Sequence, residues 1–222
     1  MTRIEDSARH IIDSLPDHVT LVAAAKTRSV DEVRRAIDAG VKILGYNYVQ
    51  ETMTMRDSIT QDVKWHMIGH LQRNKVNRAV PLFDMIETID SFELAKAVDR
   101  QCKKINKMMP ILLEINIGRE AQKSGILPEN VLALAQQIST LQHVEINGLM
   151  TMGPVTVEPG ALRPYFKLTK ILFDQIAAAR IPHVEMKYLS MGMSDSYEIA
   201  IEEGANMIRL GTILFGPRHD KS

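Results

Sequence analysis

The sequence predicts an α/β fold, a single (β/α)8 TIM barrel with an additional N-terminal helix. Three observations predict it. Short apolar runs alternate with longer amphipathic ones along the whole chain, the pattern of parallel strands joined by crossover helices. The alternation occurs eight times, and eight such units in about 200 residues suit a compact closed barrel. No linker, internal repeat, low-complexity tract or composition break interrupts the 222 residues, so 1–222 is expected to be one domain. A doubly wound open sheet is the competing topology for the same alternation.

The elements follow in order. Ile4–Leu15 supplies a helix ahead of the first strand, Thr20–Lys26 (TLVAAAK), a buried apolar run. Asp31–Ala39 has helical character and stops at Gly40, a natural C-cap. Lys42–Gly45 is the second strand, and a helix follows from about Tyr48. Lys64–Gly69 (KWHMIG) is the third strand, with Asn74–Val80 as its helix. Met85–Ile89 is the fourth, followed by the amphipathic helix Phe92–Lys104. Pro110–Ile117 (PILLEINI) is the clearest strand, and its helix runs from near Pro128, a good first-turn residue, to about Thr140. Glu145–Met150 is the sixth strand, and Leu162–Ala179 is the longest helix. Tyr188–Met191 is the seventh strand, Asp195–Glu203 a helix ended by Gly204, and Met207–Leu210 the eighth strand.

Composition narrows the function classes. Lys+Arg and Asp+Glu each number 27, a net charge of zero that gives no reason to expect nucleic acid or an anionic membrane as partner. The one cysteine, Cys102, excludes an internal disulfide and fits a reducing compartment. It lies in the charged stretch Asp99–Lys104 with no catalytic partner nearby, so an ordinary helix residue is expected. Arg3, Glu5, Asp6 and Arg9 break any signal-peptide core at the N-terminus. No apolar run approaches the roughly 20 residues of a membrane span. A soluble, cytoplasmic monomer is the expectation.

In a barrel, reactive residues collect where strands end and βα loops begin. Lys26 closes the first apolar strand. Desolvation at a barrel mouth disfavours the ammonium and leaves more amine to attack an aldehyde. Position alone favours a plainer reading, a lysine that snorkels out of the strand end. The far end of the chain shifts that balance. Arg209-Leu210-Gly211-Thr212 closes the eighth strand, and Ser190-Met191-Gly192-Met193-Ser194 closes the seventh. Gly211 lets backbone approach a ligand, Thr212 offers a hydroxyl and an N–H, and Ser194 can cap the helix that follows. Barrels frequently bind phosphate after strands seven and eight. Turn chemistry alone also favours Gly and Ser in such loops. Strands one and eight are neighbours in a closed barrel, which sets Lys26 beside Arg209 and these loops. A Schiff-base lysine next to a phosphate cradle is what an aldehyde cofactor bearing a phosphate needs.

A family resemblance rests on blocks spread over nearly the whole chain. They are Ala25-Lys26-Thr27, Gly45 through Glu51 (GYNYVQE), Trp65 through Lys75 (WHMIGHLQRNK), Lys123-Ser124-Gly125 and Gly148 through Met152 (GLMTM). Arg163-Pro164-Tyr165-Phe166, Leu189 through Asp195 (LSMGMSD), Ile208 through Thr212 (IRLGT) and Phe215-Gly216-Pro217-Arg218 complete them. On these the chain resembles the pyridoxal phosphate homeostasis proteins, the YggS/PROSC family, whose fold is similar to the barrel domain of alanine racemase. The resemblance implies that pyridoxal 5'-phosphate (PLP) is carried as a Schiff base on Lys26. It implies that Ser194, Gly211 and Thr212 hold the phosphate, that Arg209 faces the pyridine nitrogen, and that Asn47 is a neutral contact near the ring. A cation at the pyridine nitrogen keeps it unprotonated and weakens the ring as an electron sink. Two departures stand out. The family usually has Glu where this chain has Tyr46, and its Asn-Ile-Ser-Gly segment is Asn116-Ile117-Gly118-Arg119 here.

The expected function is a PLP carrier in intracellular vitamin B6 homeostasis, not an enzyme, with apo PLP-dependent enzymes as recipients. The alternative is an amino-acid racemase-like enzyme. That chemistry needs a second acid–base group, which alanine racemase-like proteins take from an added C-terminal domain. This chain stops at Ser222, and Tyr46 is the candidate replacement. A Schiff-base aldolase using Lys26 without PLP lacks a paired acid and base. Lys123 is a candidate second PLP acceptor or a solvated loop lysine. His66 and His70 are four apart but cross a strand end, without a third metal ligand at a suitable spacing.

Overall fold

A computed structural model describes residues 4–154 and 158–217. Arg218, the last residue of the final sequence block, and both limits of the expected 1–222 domain lie outside the described residues. The strands are β1 (Thr20–Ala24), β2 (Ile43–Tyr46), β3 (Lys64–Met67), β4 (Met85–Ile89), β5 (Met109–Glu114), β6 (Val144–Met150), β7 (Val184–Ser190) and β8 (Met207–Leu210). The helices are α1 (Ile4–Ser14), α2 (Val30–Asp38), α3 (Val49–Arg56), α4 (Val76–Leu82), α5 (Phe92–Lys104), α6 (Val131–Ile138), α7 (Arg163–Ala178), α8 (Tyr197–Glu202) and α9 (Thr212–Phe215). The strands form one closed parallel barrel in the order β1 to β8. It closes where Val22 pairs with Arg209 and Ala23 with Leu210. The TIM barrel and its extra N-terminal helix are therefore present, and the open sheet is not. No helix among the described residues is long and apolar enough to cross a membrane.

Strand periodicity divides the core in two. One face of each strand joins the helices in a large apolar layer containing Leu44, Tyr46, Trp65, Ile86, Ile111 and Leu210. The alternate residues Val22, Met85, Leu112, Met150 and Met207 form a separate cluster that fills the barrel interior. One step further toward the strand ends, the same inward face turns polar: Glu87, Glu114, Ser190 and Arg209 are all buried. A dry floor thus lies under a charged layer at the mouth.

The structure moves several expected boundaries. β1 ends at Ala24, before Lys26. One further ladder bond, from the Ala25 N–H to the Gly45 carbonyl (3.0 Å), precedes a turn closed by the Arg28 N–H on the Ala25 carbonyl (3.2 Å). β5 ends at Glu114 rather than Ile117, because the chain there pairs with its own loop. The Asn116 N–H donates to the Ile126 carbonyl at 2.9 Å, and the Ile126 N–H to the Glu114 carbonyl at 2.8 Å. β7 begins at Val184, earlier than the Tyr188 expected, because exposed Glu185 and Lys187 alternate with half-buried residues and hide its apolar character. α9 is new, a single turn too short for helical periodicity to register. Cys102 is buried in α5, and burial pushes its thiol up to about 11, which leaves it an inert core residue.

Candidate functional site

A pocket of about 580 Å³ opens at the C-terminal mouth of the barrel, between the ends of β7, β8, β1 and β2. Lys26, Asn47, Ser194, Arg209, Gly211 and Thr212 all line it. The six residues chosen from the sequence are thus brought to one cavity from five loops or strands. Ala24, Ile68 and Met152 supply apolar walls.

Local structure explains each placement. Lys26 is half-buried in the turn after β1, and the next residue, Thr27, adopts a left-handed φ of +66°. That conformation is unusual for a β-branched residue, and it is held by the Thr27 N–H donating to the Glu51 carboxylate. Asn47 follows β2 and is fixed by the neighbouring loop. A Cβ on Gly69 would lie 2.6 Å from the Asn47 Cα and carbonyl oxygen, so only glycine permits this approach. At the end of β7, Gly192 takes φ +92°, and its carbonyl accepts the Arg209 N–H at 3.1 Å, tying the seventh loop to the eighth strand.

Ser194 does not cap the following helix, as its place in the sequence had suggested. The cap position of α8 is Ser196, two residues later. Ser194 instead turns to the loop after β8. Its Oγ accepts long hydrogen bonds from the Gly211 N–H (3.3 Å) and the Ile213 N–H (3.4 Å). Two amides and one hydroxyl therefore converge at one spot, with the exposed Thr212 beside them. This donor set matches an oxyanion with several acceptor atoms, and neutral N–H and O–H donors arranged this way bind phosphate without needing a lysine. The cradle is also spatially tight, since a Cβ on Gly211 would stand 3.3 Å from the Ala24 carbonyl oxygen.

Arg209 forms the pocket floor. It is buried, with one guanidinium nitrogen donating to Ser190 Oγ (2.6 Å) and the other to the Thr151 carbonyl (2.8 Å). Burial pulls its pKa down, while Glu87 and then Glu114 push it back up. Glu87 is wholly buried, and burial alone would raise its pKa. The hydrogen bond and charge of His66, the Arg209 charge and the Ser190 hydroxyl outweigh that, and hold it below the usual carboxylate range. Glu114 shows the reverse: burial pushes its pKa up, and the Ser124 hydroxyl only partly offsets this.

Sequence reasoning missed three of these groups. Arg28 lines the pocket and clamps the chain beyond β8, through the carbonyls of Phe215 (3.2 Å) and Gly216 (2.5 Å). Glu87 and Glu114 sit inside apolar strand runs, where a single carboxylate is the only available signal. Tyr46, offered as a possible acid near the pocket, is corrected. Its neighbour Gly45 takes the inward face, so Tyr46 points outward, fully buried and stacked on Trp65 at 5.7 Å. Burial, then the Glu51 charge, raises its pKa, and its hydroxyl has no hydrogen-bond partner among the described residues. It cannot serve the mouth as an acid.

The remaining candidates stand apart from the pocket. Lys123 donates to the Gly153 carbonyl (3.0 Å) and pairs with Glu120 (2.5 Å) around a smaller cavity of about 230 Å³. His66 bonds Glu87 at 2.8 Å, and exposed His70 lies 4.0 Å from Asp90. Among the described residues, no three His, Cys, Asp or Glu groups stand together in a way that could hold a metal. Arg119 lies on the rim, paired with Glu129 at 2.9 Å.

Comparison with known proteins sets this site among relatives. The family model "Alanine racemase, N-terminal domain" matches residues 2–219. The pyridoxal phosphate homeostasis protein of Aquifex aeolicus is 38% identical over 199 residues, which is 89% of this chain and 86% of the relative. That of Synechocystis sp. is 37% identical, with 94% and 95% covered. PipY of Synechococcus elongatus PCC7942, solved with PLP bound, superposes with a TM-score of 0.89 at 32% identity, over 96% of this chain and 100% of that one. An alanine racemase of Clostridium difficile 630 matches at TM-score 0.84 and 15% identity, over 99% of this chain and 57% of that one, a likeness of fold alone.

Proposed function

The chain belongs to the alanine racemase N-terminal domain family, and within it to the pyridoxal phosphate homeostasis proteins, and we propose that it binds and carries PLP on Lys26. The observation that carries this reading is the convergence of Lys26, the Ser194–Gly211–Thr212 donor set and Arg209 on one pocket. When bound, PLP supplies an aldehyde that condenses with an amine to a Schiff base, and a pyridine ring that can delocalise charge.

Each residue then has a defined task. Lys26 supplies the amine. Its place in the pocket lining puts that amine beside the phosphate donors. Ser194, Gly211 and Thr212 take the phosphate through hydroxyl and amide donors, and Asn47 contributes a neutral hydrogen bond beside the ring. Arg209 faces the pyridine nitrogen. A guanidinium has donors only, so it keeps that nitrogen as an unprotonated acceptor. An unprotonated ring is a weak electron sink, which fits a carrier better than an enzyme that builds carbanions. Racemisation also needs acid–base groups on both faces of the ring, and Tyr46 is sealed in the outer apolar layer. Apo PLP-dependent enzymes are the recipients that such a carrier serves.

The test is to load the protein with PLP, record its absorbance, and incubate it with L-alanine in deuterated water. The carrier reading predicts a retained PLP band and no α-hydrogen exchange at enzyme-like rates. Exchange faster than about 1 per second, within the usual range of turnover, would overturn it.

A further inference from the structure

Beneath the pocket, four buried polar side chains are linked across the barrel, from β3 and β4 to β7 and β8. His66 Nδ1 and Glu87 Oε1 are 2.8 Å apart, Ser190 Oγ and Glu87 Oε2 are 2.7 Å apart, and Arg209 donates to Ser190 Oγ at 2.6 Å. Only Arg209 lines the pocket. The polarity of the chain is fixed by its members. A guanidinium can only donate, so Ser190 accepts from it. The single Ser190 hydroxyl proton is then left for Glu87, which accepts it as a carboxylate. His66 completes the carboxylate's coordination from the opposite side of the barrel.

We propose that Glu87 is a positioning residue which, through Ser190, locks the Arg209 guanidinium in one orientation under the ligand ring. The inference rests on the pocket being a PLP site, and it extends that reading to residues that never touch the ligand. Two features favour it over a merely structural role. The layer just below is filled by Met85, Leu112 and Met207, so this interior packs well without charge. A fully buried carboxylate is costly unless it is paired and hydrogen-bonded, and apolar residues of similar volume often serve stability as well or better. With Ser190 on one terminal nitrogen and the Thr151 carbonyl on the other, Arg209 is restrained at both arms. It is thereby kept from swinging toward the phosphate loops.

The experiment compares the full-length chain with Glu87→Gln and Ser190→Ala, reading PLP affinity and the absorbance band of bound PLP. Each variant should shift the band and weaken PLP by about tenfold, the effect of disturbing one charge-assisted hydrogen bond. Ser190→Ala leaves Glu87 paired with His66, so it decides the matter if Glu87→Gln fails to fold. A wild-type band with affinity within about twofold in folded variants, the scatter of neutral substitutions, overturns the inference. Absence of any PLP band from the wild-type chain overturns the cofactor reading itself, and this inference with it.

Discussion

The two sides of the barrel mouth carry a lysine each, in different settings. On the β7, β8, β1 and β2 side, Lys26 lines an open pocket whose loops turn hydroxyl and amide donors inward. On the β5 and β6 side, the loop folds onto itself. Asn116 donates to the Glu120 carbonyl at 2.8 Å, and Lys123 is held by Glu120 and the Gly153 carbonyl. The buried glutamates below differ in the same sense. Glu87 is bonded by His66 and Ser190 and lies in the field of Arg209, whereas among the described residues Glu114 has the Ser124 hydroxyl as its side-chain donor and an Oε2 without one. A place at a strand end does not make a site. Donors that converge on a shared pocket, with a cation fixed beneath, do.

Substitutions on the two sides should therefore behave differently. The largest effect is expected from Arg209→Ala, which removes the buried cation in whose field Glu87 lies and unpairs the Thr151 carbonyl. A loss of about 3–5 kcal/mol in denaturant unfolding is predicted, as for breaking other buried pairs. Arg119→Ala, on the exposed rim, should leave the unfolding curve in place.

The glutamates separate by the sign of their pH dependence. Glu87 has a lowered folded pKa, so its contribution is present above the unfolded carboxyl value of about 4.3 and is lost as pH falls through the folded value. Glu114 has a raised folded pKa. Its contribution is present below the unfolded value and is lost as pH rises through the folded one. At pH 7, Glu87→Gln should cost about 3 kcal/mol, while Glu114→Gln should be neutral or stabilising. Urea melts at several pH values check this, and equal losses for both would erase the proposed difference.

Smaller effects sharpen the picture at the pocket itself. Ser194→Ala and Thr212→Ala should each weaken PLP by about 1.5–3 kcal/mol and pyridoxal by much less, since only PLP carries the phosphate. Equal losses for both ligands would remove these loops from the phosphate. Smallest of all, Tyr46→Phe should leave PLP binding unchanged and raise stability by about 1 kcal/mol, because it deletes an unpaired buried hydroxyl.

The sequence carried the barrel in its eightfold alternation, and β4 and β8 sit at the expected bounds. Strand ends were harder to read. Lys26 continues the apolar run of β1 in sequence, yet the Thr27 turn ends the strand first. β7 was half hidden because its outer face is charged. At the site, the loop glycines and serines were legible as turn chemistry. Which hydroxyl meets which amide was not, because Ser194 and Gly211 are joined only by closure of the barrel. The Glu87 network was invisible for the same reason: its members come from four strands, and a single charge in an apolar run does not announce its partner.

The comparison between the two lysines can be settled chemically. The full-length protein is loaded with PLP, reduced with borohydride, digested with trypsin and mapped by mass spectrometry. The account predicts the pyridoxyl group on Lys26, in a peptide of residues 10–28 left uncut at that lysine. A label found mainly on the Lys123 peptide, or spread evenly over surface lysines, would contradict it.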